Sequence, residues 1–147
     1  MFKKIRIFDG GMGQELLSKG LISKGTLWSA SALIEREFHK LVIDAHMSYI
    51  NAGADIIVTN NFSARKIRFI QNKVLDKFQY ANEQAGILAN KAREISKQNI
   101  LIAGSLPSQS DTYVEDERSS SEIQSDFEEQ AKICLLYTSD AADDVFG

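Results

Sequence analysis

Short strings of apolar, β-branched residues alternate along this chain with longer stretches in which apolar positions recur every three or four residues. The strings are Ile5–Phe8, Asp55–Thr59 and Ile100–Ala103. The second, Asp55-Ile56-Ile57-Val58-Thr59, is apolar without alternation, as expected of a parallel strand buried on both faces. Between the strings the helical period predicts a short helix near Gln14–Lys19 and a longer one from about Ile34 to Asn51. Phe38, Leu41, Val42, Ala45, Tyr49 and Ala52 lie on the inner face of the longer helix, and Gly53 stands where a C-cap ends it. Helical pattern resumes at Ala64 and is strongest over Phe78–Ile95, with Phe78, Ala81, Ala85, Leu88, Ala92 and Ile95 on one face. A polar loop through Tyr113 and Asp116 then leads to a helix over about Ser121–Ile133, with Ile123, Phe127 and Ala131 inward. Strand followed by helix, three times over, predicts an α/β fold with a parallel sheet. Right-handed crossovers make that sheet either open or part of a barrel.

The rhythm breaks at the end of the chain. A fourth strand is due near residue 140, but Ser139-Asp140-Ala141-Ala142-Asp143-Asp144 is too acidic and alanine-rich for a buried strand. Cys134-Leu135-Leu136-Tyr137-Thr138-Ser139-Asp140-Ala141-Ala142-Asp143-Asp144 resembles the translation of a transposon adapter used in sequencing-library preparation. The expectation is a native segment 1–133 from the first part of a longer protein, followed by a non-native tail 134–147.

Composition narrows the function classes. The 147 residues are 44% hydrophobic and 25% charged, which suits a globular domain with a core. A net charge of −3 gives no electrostatic reason to expect nucleic acid or an anionic membrane as partner. No apolar run approaches the roughly 18 residues of a membrane span. Met1-Phe2-Lys3-Lys4 lacks the apolar core of a secretory signal, so a cytoplasmic location is expected. One cysteine, Cys134, excludes a disulfide framework or a multi-cysteine metal site within the chain.

The candidate chemistry gathers where the strings end. Ile5–Phe8 runs into Asp9-Gly10-Gly11-Met12-Gly13, which puts a carboxylate and a side-chain-poor loop at the carboxyl rim of a sheet, where α/β folds bind ligands. A carboxylate there can hold an ammonium group while glycine N–H groups take a carboxylate, which suits the head of an α-amino acid. Asp9 can equally act as a helix cap. Asn60, Asn61 and Phe62 end the second string; their amides and ring can fix and wall a ligand, or the amides can tie their own loop. Gly104-Ser105 needs only a tight turn to explain it. Trp28 is a lid or core residue by its loop position. His39 and His46 fall on a helix face without metal spacing, and Arg65-Lys66-Ile67-Arg68 reads as a solvated basic helix face. The glycine loop lacks the spacing of a dinucleotide fingerprint.

Four segments in register carry a resemblance. Phe8–Leu16, Leu27-Trp28-Ser29-Ala30, Ala52–Phe62 and Ala103-Gly104-Ser105-Leu106-Pro107 resemble the N-terminal part of the homocysteine S-methyltransferase family, over about residues 5–133. Gln14 and Asn61 depart from it, each standing where threonine is commoner. The resemblance implies the first three βα units of a (β/α)8 TIM barrel, truncated, and methyl transfer to the thiol of homocysteine to form methionine. It implies a zinc ion held by three cysteine thiolates late in the barrel, beyond this chain, with Cys134 matching none of them. It implies that Asp9 binds the amino group of homocysteine, that Gly10 and Gly11 receive its carboxylate, and that Trp28, Asn60 and Phe62 contribute to the pocket. The methyl donor leans toward S-methylmethionine or S-adenosylmethionine. On this view the chain alone is inactive. Another barrel enzyme taking a phosphorylated or carboxylated substrate, and a small α/β binding module, are the competing expectations.

Overall fold

The computed structural model describes residues 5–110 and 113–146, with residues 139–146 described as backbone. Among the described residues two parallel strands form the sheet, β1 (Ile56–Val58) and β2 (Leu101–Ala103), in register Ile56 to Leu101 through Val58 to Ala103. Their burial on both faces matches the unbroken apolar string. Helices α1 (Met12–Ser18), α2 (Ser31–Ile34), α3 (His39–Asn51), α4 (Lys66–Gln71), α5 (Phe78–Ser96) and α6 (Ser120–Phe146) make up most of the remainder. No helix among the described residues is long and apolar enough to cross a membrane.

Among the described residues the first predicted strand is reduced to a single parallel bridge between Phe8 and Ile56. Asp9 N–H donates to Ile56 O, and Asp55 and Ile56 N–H both donate to Ile7 O. That holds the segment beside β1, but Ile5, Ile7 and Phe8 stay exposed, Ile5 at 91%. A strand paired along one edge and uncovered on its faces gains little from burial.

Helix boundaries depart from the periodicity in three places. Glu35 is extended (ψ 110°), so the predicted helix from Ile34 splits into α2, a 3-10 turn at Arg36–Phe38, and α3. Inside α3 the buried residues are Val42, Ala45, His46 and Ile50, while Ala52 is exposed. In α5 the predicted face is buried from Phe78 to Ala92, but Ile95 is half exposed. The helix predicted over Ser121–Ile133 runs on to Phe146. Its only fully buried described side chain is Gln130; Ile123, Phe127 and Ala131 are half-buried. Beyond residue 133, Cys134 lies against Gly104 and Tyr137 against Gly86.

The end of α3 is capped as its sequence predicts. Gly53 takes φ +104°, its N–H reaches Ile50 O, and Ala54 N–H reaches Tyr49 O, the paired bonds of a left-handed helix stop. Two residues later the chain is already in β1, so this turn sets where β1 begins. One apolar cluster, centred on Leu16, Leu33, Val42, Phe69 and Phe78, joins α1 to α5; a second, around Ile50, Ile57, Ala89 and Ile102, seats the sheet on α3 and α5.

Candidate functional site

Pairing with β1 carries Asp9 alongside Val58, and the Val58 N–H donates to Asp9 Oδ2 at 2.9 Å. Burial pushes the Asp9 carboxyl up to about 6, against the backbone hydrogen bonds from Val58 and from Asp9 itself, which pull it down. Asp9 does not cap α1: the N-cap is Gly11, which makes no side-chain cap bond. The carboxylate therefore has acceptor capacity left over beside an opening.

That opening is a cavity of about 320 Å³ bounded by Asp9 through Gly13, Trp28 and Ser29, Val58 through Asn60, Phe62 and Ser105. Its size is at the small end for a small-molecule site. Gly10 and Gly11 are exposed on one wall. Trp28 and Phe62 are half exposed, at 40% and 58%, and give the cavity its aromatic borders. Trp28 adopts φ +48°, a strained conformation for a bulky residue. Its turn is fastened to the loop after β1: Asn60 Nδ2 donates to Ser29 O at 3.1 Å, and the Ser29 and Ser63 hydroxyls meet at 3.2 Å. The Trp28 ring lies against Gly13, where a Cβ would stand only 2.7 Å from it. Asp9, Gly10, Gly11, Trp28, Asn60 and Phe62, singled out in sequence at separate places, thus meet around one cavity.

Asn61 goes the other way. Its Nδ2 donates to Asn82 Oδ1, Ser105 O and Cys134 Sγ, and its Oδ1 accepts from the Thr59 hydroxyl at 2.7 Å and the Ser105 N–H. Gln130 completes this buried cluster, donating to Asn61 O and Asn82 Oδ1 and accepting from Gln109 Nε2. Asn61 belongs to the interior and not to the cavity wall, the loop-tying alternative of the sequence. The sequence signal for the cluster was available only as polar residues at inward helical positions, Asn82 and Gln130.

The basic stretch after β1 is not a solvated face. Arg65 is buried, with its guanidinium donating to the carbonyls of Ser108 and Ser110, and Lys66 pairs with Glu129 and Asp126. These bonds tie the loop after β2, and α6, to the start of α4. His46 is fully buried with neither ring nitrogen hydrogen-bonded among the described residues, and burial lowers its pKa to about 4. His39 Nε2 lies 2.9 Å from Leu33 O. A second cavity, of about 310 Å³, has an acidic wall of Glu115, Asp116 and Glu117, and its Arg118 is already held by Asp116 and Asp126.

No group of three His, Cys, Asp or Glu side chains gathers as a metal site among the described residues. Cys134 is half-buried, its thiol pushed up by burial and engaged by Asn61. The described side chains therefore do not make a zinc donor set.

Residues 6–145 match the family model for homocysteine S-methyltransferases. A homocysteine S-methyltransferase of Escherichia coli (strain K12) is 33% identical over 113 residues, covering 69% of this chain and 34% of that protein. Homocysteine S-methyltransferase 1 of Zea mays is 39% identical over 64 residues, or 44% of this chain and 19% of that protein. The crystal structure of the homocysteine methyltransferase MmuM from Escherichia coli in its metallated form superposes with a TM-score of 0.74 at 27% identity, over 95% of this chain and 51% of that one. This chain spans about half the length of that structure and a fifth to a third of those two curated relatives. The strand-end carboxylate, the glycine loop and the order of elements lie within the matched segment, and the chain belongs to the homocysteine S-methyltransferase family.

Proposed function

We propose that the protein carrying this chain transfers a methyl group from a sulfonium donor to the thiol of homocysteine, and that this chain supplies the amino-acid-binding part of the site. The observation that carries the proposal is the Asp9 carboxylate, held by the Val58 backbone N–H and facing a cavity with an aromatic border. In this reading the ammonium of homocysteine pairs with Asp9, and its carboxylate lies on the exposed Gly10–Gly11 backbone. Trp28 and Phe62 wall the thioalkyl chain, and Asn60 holds the Trp28 turn in place. The homocysteine sulfur forms the new S–CH3 bond as the donor's S–CH3 bond breaks; the thiol proton goes to solvent and the donor leaves as a thioether. Such a displacement asks chiefly for positioning. S-methylmethionine or S-adenosylmethionine is the donor class.

The architecture that goes with this reading is a (β/α)8 barrel, of which the three strand-end segments at Asp9, Asn60 and Ser105 form one sector of the carboxyl rim. The zinc implied by family resemblance requires thiolates that the described residues do not gather, so in this reading they lie outside residues 5–133 and the 147-residue chain binds without turning over. A cytoplasmic location is part of the same reading. So is an adapter origin for residues 134–147, which re-reading the source DNA across codon 133 tests; a natural frame ending in Asp-Ala-Ala-Asp-Asp-Val-Phe-Gly sinks it.

Calorimetric titration of the chain with reduced L-homocysteine tests the binding assignment. Binding by the wild type, weakened about a hundredfold in Asp9→Asn, is expected from removing the charge partner of a buried ion pair. Unchanged affinity in Asp9→Asn, or tighter binding of a phosphate monoester than of homocysteine, overturns it. Methionine formed by the 147-residue chain alone from L-homocysteine, S-methylmethionine and zinc overturns the expected inactivity.

A further inference from the structure

Tyr49 stands outside the cavity lining, yet it is the side chain that braces the glycine loop from α3. Its Oη donates to Gly11 O at 3.2 Å, and the same oxygen receives the Glu15 N–H at 3.3 Å, so the Gly11–Met12 peptide is held by two donors. Its ring fills the space over Gly10, where a Cβ would lie 2.9 Å from Tyr49 Cε1. On Gly13 the Trp28 ring does the same at 2.7 Å. With Gly10 and Gly11 in the loop and Gly13 in the first turn of α1, this stretch has little of its own to restrict it. Here two aromatic rings, from separate elements, supply the restriction.

We propose that Tyr49 is a positioning residue of this site: its hydroxyl fixes the Gly11 peptide, and with it the loop that takes the ligand's α-carboxylate. The proposal rests on the amino-acid-binding reading above. A peptide unit is planar, so anchoring the Gly11 carbonyl also sets the direction of the Met12 N–H across it. The Tyr49 backbone is itself fixed, since its carbonyl accepts the Ala54 N–H in the turn that leads into β1. Thus the stop of α3, the start of β1 and the glycine loop share one residue. Burial and the neighbouring Glu15 and Asp9 carboxylates hold the phenol pKa above its ordinary value, which keeps the hydroxyl a donor. Loops arranged before a ligand arrives bind it at lower entropic cost.

Tyr49→Phe keeps the ring and deletes only the donor. Two measurements on the 147-residue chain decide the matter. The first is backbone 15N order parameters of Gly10, Gly11 and Met12 without ligand, expected to fall from the rigid value of about 0.85 toward about 0.6 in the variant. The second is titration with L-homocysteine and with 3-aminopropane-1-thiol, which lacks only the carboxylate. Tyr49→Phe should weaken homocysteine about fivefold, the worth of one hydrogen bond, and leave the amine unchanged. Unchanged order parameters, or equal loss for both ligands, overturns the proposal. If the wild type binds neither ligand, the amino-acid reading fails by itself, and the order parameters still decide whether Tyr49 fixes the loop.

Discussion

Asn60 and Asn61 are neighbours at the end of β1, and they serve opposite sides of it. Asn60 lines the open side with Asp9, Trp28 and Phe62, where a carboxylate accepts from the backbone and still faces a cavity. Asn61 enters the closed side, where Asn82, Gln109 and Gln130 exchange hydrogen bonds with one another and with the carbonyls around them. Both sides are polar, but the closed side is built of amides that bond one another, with Gln109 Oε1 left buried and without a partner among the described residues, and only the open side keeps an acceptor beside a cavity. Polarity at a strand end therefore says little about binding until the partners are counted. The closed side fixes the loop; the open side uses the fixed loop.

His46 is the extreme of this contrast, a buried polar side chain with no hydrogen-bond partner for either nitrogen among the described residues. Its pKa in the folded protein is about 4 against 6.5 when unfolded, so the unfolded state binds the proton more readily. Stability is fully present above pH 6.5 and is lost as the pH falls toward 4, by about 3 kcal/mol from this group. Urea unfolding at pH 7.5 and pH 4.5 should register most of that loss, and His46→Leu should flatten the pH dependence. A wild-type stability constant over that range would break the assignment of His46 to the neutral interior.

On the closed side, Gln130→Ala removes four hydrogen bonds among buried groups and leaves a void, at a cost of about 2 kcal/mol because most partners keep a second bond. Chemical denaturation should report that cost while the homocysteine affinity of the folded protein changes little. A large loss of affinity at unchanged stability would mean that the two sides of β1 are not separate. Asp9 tests the open side in the reverse sense. Its pKa is raised to about 6, so homocysteine should bind about tenfold more weakly for each unit below pH 6, as the carboxylate is neutralised. For stability the sign inverts: a raised acid favours folding below pH 3.8 and loses that contribution as the pH rises through 6. Asp9→Asn should therefore stabilise the protein at pH 7.5 by about 1 kcal/mol, after discounting for its partial exposure, while abolishing tight binding. Thermal melts of the two proteins check it. The smallest effect is Gly10→Ala, whose Cβ would press on the Tyr49 ring at 2.9 Å. A destabilisation of about 1 kcal/mol is expected, smaller in Tyr49→Leu where the ring is gone, and a double-mutant cycle measures the difference.

Several elements were legible without tertiary structure because their causes are local. The unbroken Ile56-Ile57-Val58 string is a buried parallel strand, and Ile100–Ala103 pairs with it. Gly53 stops α3 through the positive φ that glycine permits. Asp9, the glycines, Trp28, Asn60 and Phe62 could be placed at strand ends or in the loops between, and they do converge. Long-range pairing was not legible. The string Ile5–Phe8 has the composition of a strand, but a strand needs neighbours, and it secures only one bridge. Arg65 looked like a surface cation because nothing nearby in sequence reveals Ser108 and Ser110, whose carbonyls it binds.

Sequence by itself determined the order of strand and helix, the stop of α3, the family pattern, and the residue types available at the rim. Those depend on periodicity, backbone preference and chemistry that each residue carries with it. Tertiary structure alone decided which amide faces the cavity and which is consumed inside, that Tyr49 braces Gly10 and Gly11, and that Asp9 is held by Val58 rather than by α1. Each of those depends on a partner roughly 20 to 70 residues away, and a hydrogen bond over that distance exists only once packing has brought its two ends together.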